Sequence, residues 1–228
     1  MTDPLQRIYR RHELSLADYL MSFQQALKDE FLAGHNSLAD AAKLIAPSLY
    51  NRPDIHTDIK NYLVQDTNNT PDMTRWRAYT LKYEHKDKNI FWKESATAMI
   101  NRFPTATKLI EEFGDDCPIA NYSILAPNSV INRHTGVENR SGEFVRIHIP
   151  LIVPEGDLFF EVNDEVVHWD DIFAFNNQYV HSAHNRTNEW RLCFLIDIRR
   201  TRLGLPEGVH YDQIKHLDVF DQKFGQLQ

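Results

Sequence analysis

The apolar positions follow two different periods along the chain. From Leu16 to Phe31 the residues Leu16, Tyr19, Leu20, Phe23, Leu27 and Phe31 recur at helical spacing and form one stripe. Ser15 stands where an N-cap belongs, with Asp18 in the first turn. A second helix is predicted over Ser37–Ile45, ending before Pro47. The run Asn68-Asn69-Thr70-Pro71-Asp72 reads as loop, and the aromatic-rich stretch Thr74–Glu84 as a first strand. Lys93–Phe113 reads as helix, broken at Pro104 and stopped by Gly114.

From Pro118 onward the period becomes two. Strands are predicted at Asn121–Ala126, Phe144–Ile152, Asp157–Val162, Val166–Trp169, Ile172–Phe175, Val180–His184 and Trp190–Ile198. Pro127-Asn128, Ser141-Gly142, Pro154-Glu155-Gly156 and Asn163-Asp164 supply the turns. Many short strands at regular spacing indicate a sandwich or barrel. The expected layout is a helical region over 1–115, a β core over 116–202 and a surface tail over 203–228.

Alternation assigns faces. In Phe144–Leu151, Val145, Ile147, Ile149 and Leu151 share one side, Arg146 and His148 the other. In the last strand Trp190, Leu192, Phe194 and Ile196 oppose Arg191, Cys193, Leu195 and Asp197. An arginine beside Cys193 and Leu195 is not on an ordinary solvent face. Inside a barrel it needs an anion, and few carboxylates on neighbouring strands look like partners, so a bidentate dicarboxylate ligand would suit it. His134, just after a strand, and His181, on a late one, are candidate metal ligands, but imidazole alone does not choose among iron, zinc, copper and nickel.

Composition narrows the class. The 228 residues carry a net charge of -7, which argues against a polyanion partner such as nucleic acid. Two cysteines, Cys117 and Cys193, make a disulfide framework unexpected and favour a cytoplasmic setting. No signal peptide or membrane span is expected, because no long apolar run follows the basic residues near the start.

An ordered set of segments resembles the aspartate/asparagine β-hydroxylases: Tyr122-Ser123-Ile124, His134-Thr135-Gly136, Arg146-Ile147-His148, Trp169, Phe175, His181, Arg191-Leu192 and Asp197. It covers about a third of the chain. The resemblance implies a double-stranded β-helix, that is, a mainly β jelly roll with α elements, binding Fe(II) and using 2-oxoglutarate and O2. It implies His134 and His181 as metal ligands and Ser123 and Arg191 around the distal carboxylate of the cosubstrate. Arg146 and His148 would contact or orient the carboxylate nearer the metal. Most such oxygenases add a carboxylate two residues after the first histidine. Gly136 occupies that place here, as in this family, leaving Glu138 and Asp170-Asp171 as remote alternatives.

The implied substrate is an amino-acid side chain, aspartate- or asparagine-like, free or within a peptide. Free proline-type hydroxylation and a non-catalytic ligand-binding jelly roll are the other readings. The loop between His134 and Arg146 is longer than usual for the family, the Trp169–Phe175 segment is shorter, and Asn176-Asn177 replace frequent acids, all of which bear on substrate identity. His184 reads as a surface histidine, and Arg133, Asn185 and Arg186 as solvated loop residues.

Overall fold

The computed structural model describes residues 5–45, 47, 57–84 and 100–214. Its strands are β1 (Ile8–Arg10), β2 (Val64–Asp66), β3 (Trp76–Tyr83), β4 (Ile119–Leu125), β5 (Ser129–His134), β6 (Phe144–Ile152), β7 (Leu158–Val162), β8 (Glu165–Val167), β9 (Phe173–Phe175), β10 (His181–Asn185) and β11 (Arg191–Arg199). They form two antiparallel sheets, ordered β1-β9-β6-β11-β4-β3 and β2-β5-β10-β7-β8. Apart from the sequential pairs β3–β4 and β7–β8, consecutive strands alternate between the sheets, which is the double-stranded β-helix expected from the family resemblance.

The two faces of the six-stranded sheet bury different things. Val145, Ile147, Ile149 and Leu151 of β6 join Leu192, Phe194 and Ile196 of β11 in one apolar cluster, against the helices. Cys193, Leu195, Phe173 and Phe175 face the other way, packing on Ile131, Phe160, Val162 and Ala183 of the smaller sheet. The alternation read from the sequence therefore sorts residues between the helix layer and the barrel interior. The turns also fall as read: Asn128, Asn163, Asp164, Gly142 and Gly156 all take positive φ.

The helices are α1 (Ala17–Met21), α2 (Gln24–Leu32), α3 (Leu38–Lys43), α4 (Thr57–Leu63), α5 (Pro104–Phe113) and α6 (Tyr211–Ile214). The single helix expected from Leu16 to Phe31 is two, because Ser22 donates its hydroxyl to the Tyr19 carbonyl at 2.6 Å and competes with the ladder. Leu16, not Ser15, is the N-cap residue of α1, and no side chain caps it. Ser37 caps α3 by accepting from the Asp40 amide. The helix breaks at Pro104 as read: helical residues 100–102 stop at Phe103, and Pro104 starts a new helix in its first turn. The Glu30 carboxylate of α2 caps α5 from outside, accepting from the Thr105 and Ala106 amides and from the Tyr122 hydroxyl.

The segment before residue 115 is not purely helical. β1 extends the larger sheet at one edge, β3 at the other, and β2 extends the smaller sheet. The part of the expected helix over 93–99 lies outside the described residues, as does the chain beyond Ile214. Among the described residues no helix is long and apolar enough to cross a membrane.

Both cysteines are buried and unpaired. Burial pushes the Cys117 thiol up to about 12 and raises that of Cys193. Neither should react with iodoacetamide in the folded protein near pH ~8, where an ordinary thiol does. Mass spectrometry should find both labelled only after unfolding; rapid labelling of Cys193 in the native protein would show that the interior opens.

Candidate active site

The six candidate residues of the sequence all line the interior between the sheets, on five strands. His134 ends β5 and His181 begins β10, and the two are directly paired across the ladder of the smaller sheet. Their ring centroids are 4.2 Å apart. His134 Nδ1 meets the Asn132 carbonyl at 2.8 Å, and His181 Nδ1 meets that of Tyr179 at 2.9 Å. A carbonyl only accepts, so each neutral ring carries its proton on Nδ1 and keeps the Nε2 lone pair free. Burial lowers both pKa values, that of His181 well below the ordinary histidine range. Two neutral imidazoles with free Nε2 atoms side by side form a donor pair suited to a first-row metal ion.

The other wall belongs to the larger sheet. Arg191 of β11 is 2% exposed. Its Nη1 donates to the Ser123 carbonyl at 3.2 Å, its guanidinium lies 4.8 Å from the Trp169 ring centroid, and its Nε has no partner. Among the described residues no carboxylate pairs with it, so a buried cation waits for an anion. Cys193 and Ser123 sit opposite each other in the β11–β4 ladder. His148 of β6 is buried, and its Nδ1 accepts from Trp169 Nε1 at 2.9 Å. Phe160 and Phe175 pack between His148 and His181. Trp76 of β3 flanks His134 and donates its Nε1–H to Ser123 Oγ at 3.2 Å.

Arg146 is engaged differently from Arg191. Its Nε and Nη2 grip both oxygens of Asp197 at 2.7 and 2.9 Å, and Nη2 also donates to Glu138 at 2.7 Å. Asp197 stands directly opposite Arg146 in the β11–β6 ladder. The expectation that inward arginines lack carboxylate partners holds for Arg191 and fails for Arg146. Burial raises the Asp197 carboxyl above its ordinary value even against Arg146. Burial pushes Glu138 the same way, but Arg146, a backbone hydrogen bond and His134 outweigh it and hold Glu138 low.

Two residues after His134 the chain has Gly136, with no side chain to offer a metal. A Cβ on Gly136 would fall 2.5 Å from Asn177 Nδ2 and 2.9 Å from its Cγ. Asn177 fills the place where a larger residue would stand, held by the Gly136 amide to its carbonyl at 2.7 Å and by Asn139 to its Oδ1 at 2.8 Å. Glu138 is held by Arg146, and among the described residues no cluster of three or more histidine, cysteine or acidic side chains could close around a metal. The chamber thus presents two imidazole lone pairs on one wall and, on the other, an arginine with no carboxylate partner among the described residues.

Sequence reasoning missed Trp76 and Glu30, and singled out Asn177 only as replacing a frequent acid, without its contact to Gly136. Asn185, read as a loop residue, is fully buried and binds the Leu125, Ala126 and Glu189 carbonyls. His184 stacks on Phe159 on the far side of its strand, and Arg133 pairs with Glu161 and Asp164. None of these three belongs to the chamber.

A jelly roll whose interior pairs two free imidazole nitrogens with an unpaired arginine belongs to the class of 2-oxoglutarate-dependent hydroxylases. The chain is a member of the Aspartyl/Asparaginyl beta-hydroxylase family, whose sequence profile matches residues 40–201. No curated protein sequence matches it significantly. Solved structures that resemble it include a Pseudomonas putida prolyl-4-hydroxylase, 13% identical, covering 79% of this chain and 87% of that one, with a TM-score of 0.41. A Burkholderia pseudomallei oxidoreductase of the 2OG-Fe(II) oxygenase family is 11% identical, covering 60% and 70%, with a TM-score of 0.35. A Trichoplax adhaerens prolyl hydroxylase, solved with a peptide of hypoxia inducible factor, is 13% identical, with the same coverages and TM-score. Superpositions this loose carry no information on the reaction.

Proposed function

We propose that the protein hydroxylates an unactivated C–H bond of an aspartate- or asparagine-like side chain, free or in a peptide, using Fe(II), 2-oxoglutarate and O2. The observation that carries this reading is the contrast between two histidines presenting lone pairs and Arg191 presenting unused donors across the same chamber. His134 and His181 hold the metal through Nε2. Arg191 and Ser123 hold the distal carboxylate, with His148, beside Trp169 and near Arg191, as a further donor to the same end. Bound Fe(II) supplies the oxidising chemistry, in which 2-oxoglutarate is decarboxylated to succinate and a hydroxyl is placed on the substrate.

The chain contributes position and electrostatics. The carbonyls of Asn132 and Tyr179 lock the ring orientations, a role of outer-shell partners at metal sites. Phe160, Phe175, Trp76 and Trp169 exclude water, which strengthens the grip of Arg191 on an anion. Arg146, tied to Glu138 and Asp197, anchors the loop that follows His134, so its contribution is to orient and not to grip the cosubstrate.

Anaerobic Fe(II) with 2-oxoglutarate should give a weak visible charge-transfer band, and a panel of Asp, Asn, Pro and Asp- or Asn-containing peptides should raise succinate formation only for the true substrate class. Turnover on free proline alone would replace the substrate assignment. A missing band and no succinate with any substrate would favour a ligand-binding jelly roll. Arg191→Ala should raise the 2-oxoglutarate requirement by roughly tenfold or more, as for other buried charge partners; an unchanged requirement would remove Arg191 from the site.

A further inference from the structure

Two tryptophans, neither of which touches the metal pair through a polar atom, each aim their single polar hydrogen at a residue of the cosubstrate pocket. An indole N–H donates and cannot accept. Trp76 therefore occupies a lone pair of Ser123 Oγ, and Trp169 occupies the Nδ1 lone pair of His148. His148 is buried and neutral, held so by its desolvation and by Arg191 nearby. With Nδ1 accepting, its one proton must stand on Nε2. Ser123 Oγ has one of its two lone pairs taken and keeps its hydroxyl hydrogen to give. Together with Arg191 Nε, the pocket presents donors at three residues, and its acceptor capacity is cut to the second lone pair of Ser123 Oγ.

The histidines of the chamber are thus wired in opposite senses. His134 and His181 give their Nδ1 protons to carbonyls and present lone pairs at Nε2, whereas His148 receives at Nδ1 and presents a proton at Nε2. The same side chain serves a cation in one wiring and an anion in the other.

We infer that Trp76 and Trp169 are positioning residues, Trp169 fixing His148 as a donor and Trp76 taking up acceptor capacity of Ser123 Oγ, which makes the pocket selective for a fully ionised dicarboxylate over a 2-oxo acid ending in an amide. The inference rests on the assignment of Ser123, His148 and Arg191 to the cosubstrate. Without the Trp169 N–H the histidine exchanges tautomers and regains an acceptor at Nε2; without that of Trp76 the serine oxygen has both lone pairs open to an amide.

Long-range nitrogen-15 spectra of the metal-free chain read the tautomers directly. His148 should be the Nε2–H form in the wild type and shift toward Nδ1–H in Trp169→Phe, while His134 and His181 stay Nδ1–H in both. Titration calorimetry with a redox-inert divalent cation should then compare 2-oxoglutarate with 2-oxoglutaramate. Trp76→Phe and Trp169→Phe should each lower the preference for the dicarboxylate roughly tenfold, the value of one hydrogen bond to a charged group. Trp76→Phe should change nothing further in a Ser123→Ala background, as expected if it acts only through that hydroxyl. An Nδ1–H form of His148 in the wild type overturns the inference even if no variant folds. So does unchanged preference in variants of a wild type that binds 2-oxoglutarate, or a Trp76 effect that persists without Ser123. A wild type that binds no 2-oxoglutarate overturns the cosubstrate assignment itself, and the selectivity with it.

Discussion

Replacing His181 by Ala is expected to lower 2-oxoglutarate turnover by more than ~100-fold, the upper end of the loss seen when only an outer-shell partner of a metal ligand is removed. The reason is geometric. His181 and His134 face each other at one rung of the β5–β10 ladder, and each ring has a single rotational setting in which Nδ1 meets its carbonyl. Among the described residues no third histidine, cysteine or acid stands ready to substitute. Metal content after dialysis, measured beside succinate formation, separates loss of the ion from loss of chemistry. Retained iron with retained turnover would remove His181 from the metal centre. His134→Ala should behave alike.

Arg146→Met should be the most destabilising of the site substitutions, by about 3–5 kcal/mol, because it strands two buried carboxylates. The loss should depend on pH in a defined sense. Burial already raises Asp197 while Arg146 is present. Without Arg146 both Asp197 and Glu138 rise above their unfolded values. A carboxyl whose folded pKa is raised costs nothing below the unfolded value, near pH ~4, and destabilises progressively as pH climbs through the folded one. The deficit relative to wild type should therefore shrink on acidification and be full near neutrality. Urea unfolding at several pH values measures it, and a deficit independent of pH would mean that the cost is packing and not charge. If Arg191 holds the anion as proposed, affinity for 2-oxoglutarate should fall less than in Arg191→Ala.

These two substitutions mark what the sequence could and could not convey. β6 and β11 were legible because nine-residue strands with a helix layer on one side repeat the apolar alternation often enough to declare both faces. That alternation put Arg146, His148, Arg191 and Asp197 on the interior side. It did not give register, so Asp197 was read beside Arg191 on its own strand and not opposite Arg146, where it neutralises a charge. β1 and β2 are three residues each, too short for a period to show. β5, Ser129–His134, holds only Val130 and Ile131 as apolar residues, side by side, and is a strand because β2 and β10 flank it. Trp76 looked like ordinary strand filling; its hydrogen bond to Ser123 joins residues brought together by the β3–β4 ladder. The metal pair and its cosubstrate were reached through family resemblance, since two isolated histidines have no signature spacing of their own. The Gly136–Asn177 contact links two loops distant in sequence, and nothing at either position announces the other.

One arrangement reaches beyond catalysis. His134 and His181 belong to the five-stranded sheet, whereas Ser123, His148 and Arg191 belong to the six-stranded one. A cosubstrate held at both ends is then a cross-brace between the halves of the sandwich. A ligand that binds only the folded state adds its own free energy to cohesion, about 2.7 kcal/mol at a hundredfold excess over Kd. The metabolite that drives turnover would also set what fraction of the molecules is braced against unfolding, coupling the lifetime of the protein to the carbon supply of the cell.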